Sequence, residues 1–125
     1  MDMPPAVIVH SLRHCAAALA PGRPVTLLSA PGAASYAGCA WWAGMLRAAG
    51  ADYALLDCGQ APGRALEALK LGLKGIVLDC EPGQFSQLAA IATENGAIML
   101  PAPPLALDMA NRNASRNLNE WLMQH

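Results

Sequence analysis

The residues of this chain that could do chemistry fall in four places, each just after an apolar run. His10 and Ser11 follow Ala6-Val7-Ile8-Val9, and Ser29-Ala30-Pro31-Gly32 follows Val25-Thr26-Leu27-Leu28. Asp57-Cys58-Gly59 follows Tyr53-Ala54-Leu55-Leu56, and Asp79-Cys80-Glu81 follows Ile76-Val77-Leu78. Carboxylates move protons, thiolates and imidazole are ligands for zinc, and backbone amides where a helix starts suit an anion. Ser29, Gly32, Asp57 and Asp79 are therefore the candidate ligand-binding residues, with Asp57 the candidate catalytic one. His10, Cys58 and Cys80 form an imaginable Cys/Cys/His zinc set, although their spacing matches no recognised motif.

Plainer roles stand beside these. An Asp at a strand end often caps a helix or ties down a turn, and Cys58 and Cys80 are small enough to serve as core. The loop Ser29-Ala30-Pro31-Gly32-Ala33-Ala34 is neither a Walker A loop nor GxGxxG; it is either an anion cradle or an ordinary tight turn. His14 reads as part of a solvated helix face, and His125 has no ligand spacing around it. The four cysteines, Cys15, Cys39, Cys58 and Cys80, form no CxxC pair. With no export signal they read as free thiols.

The elements that must position these groups are short strands alternating with helices. Five strands are expected, at 6–9, 25–28, 53–56, 76–78 and 97–100. Helices are expected from Leu12 to Ala20, Ala33 to Ala49, Pro62 to Leu71 and Pro82 to Glu94, with a polar, Asn-rich C-terminal helix over 108–125. The strands are apolar at nearly every position, the pattern of parallel sheets covered by helices, and the alternation indicates βαβ units. Leu55-Leu56-Asp57-Cys58-Gly59 and Val77-Leu78-Asp79-Cys80-Glu81 echo each other. Each is followed by Pro-Gly and a helix, so both should share one local structure.

The chain has 125 residues, 54% of them hydrophobic and 14% charged, with a net charge of −1. That length suits one domain, 1–125. So apolar a surface points to a partner. Trp41 and Trp42 are adjacent, and neighbouring helix positions point about 100° apart; one should face the sheet and the other outward. The Trp41/Trp42 helix is thus the expected surface of a homodimer. No Lys/Arg run exists, which argues against nucleic acid and a membrane surface as partners. The start has no signal-peptide pattern and no stretch suits a membrane span, so a cytoplasmic location is expected.

One stretch, Val25 through Ser29-Ala30-Pro31-Gly32-Ala33-Ala34-Ser35-Tyr36-Ala37-Gly38, resembles the second strand and loop of class II, zinc-dependent fructose- and tagatose-bisphosphate aldolases, an apolar strand leading into Ser-x-x-Gly-Ala-x-x-Tyr-Ala-Gly. Leu55-Leu56-Asp57-Cys58-Gly59 stands where that family has Leu-Asp-His-Gly. Ala65-Leu66 through Leu71-Gly72 and Lys74-Gly75-Ile76-Val77-Leu78-Asp79 resemble its next helix and strand. The resemblance covers most of residues 6–100, about the first five βα units of an eight-unit barrel. It implies a substrate-contacting role for Ser29 and a proton-donating role for Asp57. Cys58 replaces the first zinc-binding histidine, Cys80-Glu81-Pro82 replaces a Gly-Ser-His, and Ile98-Met99-Leu100-Pro101 replaces a Glu-rich strand. With its ligands lost, zinc chemistry of the aldolase kind is not expected.

The expectation is thus a five-stranded parallel α/β domain, partial-barrel-like or else flavodoxin-like and doubly wound. Its expected function is binding of a small anionic metabolite without a cofactor. The alternatives are a lyase or isomerase with a rebuilt zinc site at His10, Cys58 and Cys80, and a non-catalytic homodimer.

Overall fold

The computed structural model describes residues 3–51 and 53–124; residues 1, 2, 52 and 125 lie outside the described residues, so the reading of His125 falls there. The strands are β1 (Ala6–Ile8), β2 (Thr26–Leu28), β3 (Ala54–Asp57), β4 (Gly75–Val77), β5 (Ile98–Leu100) and β6 (Ala106–Asp108). The helices are α1 (Leu12–Leu19), α2 (Ala33–Tyr36), α3 (Cys39–Ala49), α4 (Pro62–Lys70), α5 (Pro82–Glu94) and α6 (Ala114–Leu122). All strand pairs are parallel, in the order β5-β4-β3-β2-β1-β6, and the sheet is not closed.

Local chemistry sets the element ends. The Ser11 hydroxyl caps α1 by accepting the His14 amide at 3.2 Å, a preferred N-cap arrangement. α4 and α5 both open on a proline, whose missing N–H costs nothing in a first turn. Gly50 ends α3 at a left-handed φ of 69°, the usual glycine stop.

Four expectations are corrected. The sheet has six strands, because Ala106–Asp108 forms a strand beside β1 with Ala6 opposite Ala106 and Ile8 opposite Asp108. Residues 108–125 are accordingly not one helix; Asp108 ends β6 and α6 begins only at Ala114. A three-residue strand flanked by Pro103, Pro104 and an Asn-rich tail is too short to leave a periodic signal. The helix expected from Ala33 to Ala49 is two helices, broken at Gly38, whose φ of 96° no helix can contain. A flavodoxin-like sheet would run 2-1-3-4-5, and this strand order differs from it.

The two sheet faces are covered differently. Val7, Leu27, Leu56 and Ile76 pack in one large cluster with side chains from each of α1–α6, such as Cys15, Ala34, Trp42, Ala65, Leu88 and Leu118. Trp42 is 1% exposed there. The opposite face holds a small separate cluster of Leu28, Leu55 and Val77, joined by Met3, Ile8, Leu100 and Ala106. Among the described residues, none from a helix belongs to it. Among the described residues no helix is long and apolar enough to cross a membrane.

Candidate functional site

The carboxyl ends of the strands bring the sequence-predicted residues to one end of the sheet, where parallel α/β folds place their ligands. They do not form one cluster there. Asp57 closes β3 and is 6% exposed. Its Oδ1 accepts the Gly59 amide at 2.8 Å and the Gly32 amide at 3.1 Å, and its own amide donates to Ser29 Oγ at 2.8 Å. Ser29, 1% exposed, donates its hydroxyl to Ala30 O at 3.2 Å. One carboxylate therefore fastens the loop after β2 to the loop after β3. The two loops meet so closely that a Cβ on Gly59 would lie 3.5 Å from Gly32 Cα. The Gly32 amide, expected to greet an external anion, is already engaged by Asp57.

Asp79 does not repeat this. Register places Asp57 opposite Val77, so Asp79 lies two positions beyond the β4 end, level with Gly59, whose carbonyl accepts its amide at 2.8 Å. Asp79 is exposed. The echo in the sequence thus yields two different local structures. Glu81, next along, caps α5 by accepting the Gly83 and Gln84 amides at 2.8 and 3.1 Å. Those two bonds hold its carboxyl below the ordinary range.

The three candidate zinc ligands are not brought together: among the described residues no group of three His, Cys, Asp or Glu side chains is placed to hold a metal. Cys58 is fully buried in the helix-side core. Burial above all, with Cys39, Asp57 and Glu67 nearby, pushes its thiol up to about 12, so it is a neutral thiol and a poor ligand. Cys80 is half-buried, with its Sγ 3.6 Å from Glu81 O.

His10 has a partner that the sequence did not reveal. Its Nε2 lies 2.7 Å from Oδ1 of Asp108, joining the ends of β1 and β6. The backbone amide of His10 donates to His14 Nδ1 at 3.1 Å, and the two imidazoles meet edge to face with centroids 5.5 Å apart. Burial works to raise the Asp108 carboxyl, but the Ala110 amide, His10 and His14 together outweigh it and hold it below its ordinary value. Asp108 is therefore ionised at neutral pH.

A cavity of about 380 Å³ opens beside His10. Its walls include Ala30 after β2, Ala33, Tyr36 and Ala37 of the α2 segment, and Trp41 on α3. Tyr36 is 70% exposed and Trp41 38% exposed, while Trp42 is buried against the sheet. The expected division of labour between the two tryptophans holds, but the outward one lines a cavity. Cavities of about 160 and 220 Å³ near the amino ends of the strands lack a histidine or carboxylate among their walls.

The chain matches no family model and no curated protein.

Sequence reasoning missed Asp108, His14, Tyr36 and Trp41 as parts of this end of the molecule. One signal pointed to Asp108. Ala106-Leu107-Asp108 repeats the pattern of Leu55-Leu56-Asp57 and Val77-Leu78-Asp79, two apolar residues and an aspartate at or just past a strand end.

Proposed function

We propose that this protein binds a small anionic metabolite in the cavity between the carboxyl ends of β1 and β2 and the α2–α3 segment. The observation that carries the reading is the placement of His10 on the wall of a ligand-sized cavity at the carboxyl end of a parallel sheet. His10 is the ionisable base among the cavity's walls. Tyr36 and Trp41 offer flat apolar surface beside it. Ser29, Gly32 and Asp57 then serve the site indirectly, holding the loop that carries Ala30 and Ala33.

The barrel-like form of the fold belongs to the same reading. Leu28, Leu55 and Val77 are at most 2% exposed on a face that no helix covers, which supports a sheet curled over its own inner face. The link from β5 to β6 gives separate support. Followed through the registers, Leu100 stands level with Val77 and Asp57, and Ala106 stands four residues lower, level with Ala6 and Thr26. In a flat sheet these Cα atoms would be about 27 Å apart, from strand spacings of about 4.8 Å and a rise of about 3.3 Å per residue. Six Cα–Cα steps of ~3.8 Å reach only about 23 Å. A curled sheet, with β5 and β6 facing across an open seam, satisfies the linker. It also agrees with the resemblance to the first units of the zinc-dependent aldolases, though with Cys58 in the core no zinc step is assigned.

Native mass spectrometry of the purified protein, with added inorganic phosphate, sugar phosphates and small carboxylates, tests the binding. A one-to-one adduct with at least one of them is expected, absent from Ala37→Phe, which fills the cavity. No adduct, or equal binding by that variant, would reject the site. The same spectra read subunit number. Exposed Tyr36 and Trp41 also favour a second reading, a homodimer through this face, which requires a dimer mass that Trp41→Arg converts to monomer.

A further inference from the structure

We infer that His10 is a general base, positioned by Asp108, that hydrolyses a small carboxylic ester held in the cavity. The inference rests on the binding site proposed above and adds a reaction to it. Three observations converge. The His10 ring is fixed by a 2.7 Å contact from Nε2 to an ionised carboxylate. The same residue forms part of the wall of a cavity of about 380 Å³. And the pair is carried by two hydrogen-bonded strands, with Asp108 ending β6 directly opposite Ile8 and His10 two residues past the end of β1, so the sheet brings the two side chains together.

The chemistry follows from the pairing. A carboxylate accepting from Nε2 selects the tautomer with the proton there, which leaves a lone pair on Nδ1. Nδ1 takes a proton from a water molecule as its oxygen attacks the ester carbonyl carbon. The tetrahedral adduct collapses, the bond from that carbon to the alcohol oxygen breaks, and the proton passes from Nδ1 to the departing alcohol. Water is consumed, an acid and an alcohol are formed, and no oxidant or metal enters the balance. Asp108 touches no substrate; it orients the ring and stabilises the imidazolium while it lasts. The other titratable groups facing His10 are His14, whose Nδ1 accepts the His10 amide, and the Tyr36 phenol across the cavity. The product acid is a small anion, the class of ligand proposed for the site.

The probe is p-nitrophenyl acetate, followed by p-nitrophenolate release. Wild-type protein is expected to exceed His10→Gln by about a hundredfold or more, the low side of the general-base range of about 10²–10⁴. Asp108→Asn should lower the rate several-fold and displace the pH profile, an effect that a purely structural contact would not produce. Nitrogen NMR of the wild-type protein, which needs no variant to fold, should show that the neutral His10 ring carries its proton on Nε2 and leaves Nδ1 bare. Equal rates for wild type and His10→Gln, loss of the activity on Cys80→Ser, or the opposite tautomer would each overturn the assignment. If such a failure came while Ala37→Phe still abolished adducts of the wild type, the binding site would stand and the reaction would fall.

Discussion

Asp57 shows how a residue type suited to catalysis can be spent on structure. Its Oδ1 takes two amides from two different loops, and little of the side chain reaches water. Asp57→Ala would leave the Gly32 and Gly59 amides without that acceptor, each unmet buried donor costing about 1–3 kcal/mol. Urea unfolding should therefore show a loss of about 2 kcal/mol or more. A change below about 0.5 kcal/mol, the level of ordinary surface substitutions, would mean that the carboxylate is not the fastener described. The cysteines divide in the same way. Cys15, Cys39 and Cys58 are buried with thiols pushed up, and Cys58 reaches about 12. Thiolate is the reactive form, so iodoacetamide at pH 8 should label Cys80 first and the other three only on unfolding. Rapid labelling of Cys58 in folded protein would contradict its placement.

At the level of elements, the sheet depends on close approach where the sequence offers a glycine. A Cβ on Gly75 at the start of β4 would lie 2.1 Å from Ala54 O and 2.8 Å from Leu55 Cδ2. One of those atoms is backbone, so β3 and β4 would have to part. Gly75→Ala should cost roughly 1–3 kcal/mol, as overpacking of a core does, and lower the melting temperature by several degrees. Unchanged melting would show that the strands are less tightly paired. Most elements were legible from apolar runs and from Pro and Gly at their ends: five strands lie where Val, Ile and Leu cluster, and α4 and α5 open on their prolines. β6 was not legible. Three residues carry no period, and its pairing with β1, a hundred positions away, is a tertiary fact. The break at Gly38 was hidden because small and aromatic residues, with no proline or charge, flank it from Ala33 to Ala43. The site was half legible: His10, Ser29, Gly32, Asp57 and Asp79 do lie at the carboxyl end. That Asp57 fills the Gly32 turn, and that Asp108 holds His10, depends on register, which no local pattern records.

For the molecule as a whole, two differently covered sheet faces explain the apolar composition. All six helices supply one large core, and the opposite face buries Leu28, Leu55 and Val77 without a helix. What remains exposed and apolar is concentrated in part at the mouth, in Tyr36 and Trp41. The central claim is that this mouth, beside His10, is where a ligand sits. An amide-resolved NMR titration with small carboxylates and sugar phosphates tests it most directly. Shifts clustered on His10, Ala30, Ala33, Tyr36, Ala37 and Trp41, saturating together, are the expected result. Shifts confined to the Asp79–Glu81 loop or to the amino ends of the strands, or no saturable shift with any of these compounds, would contradict it.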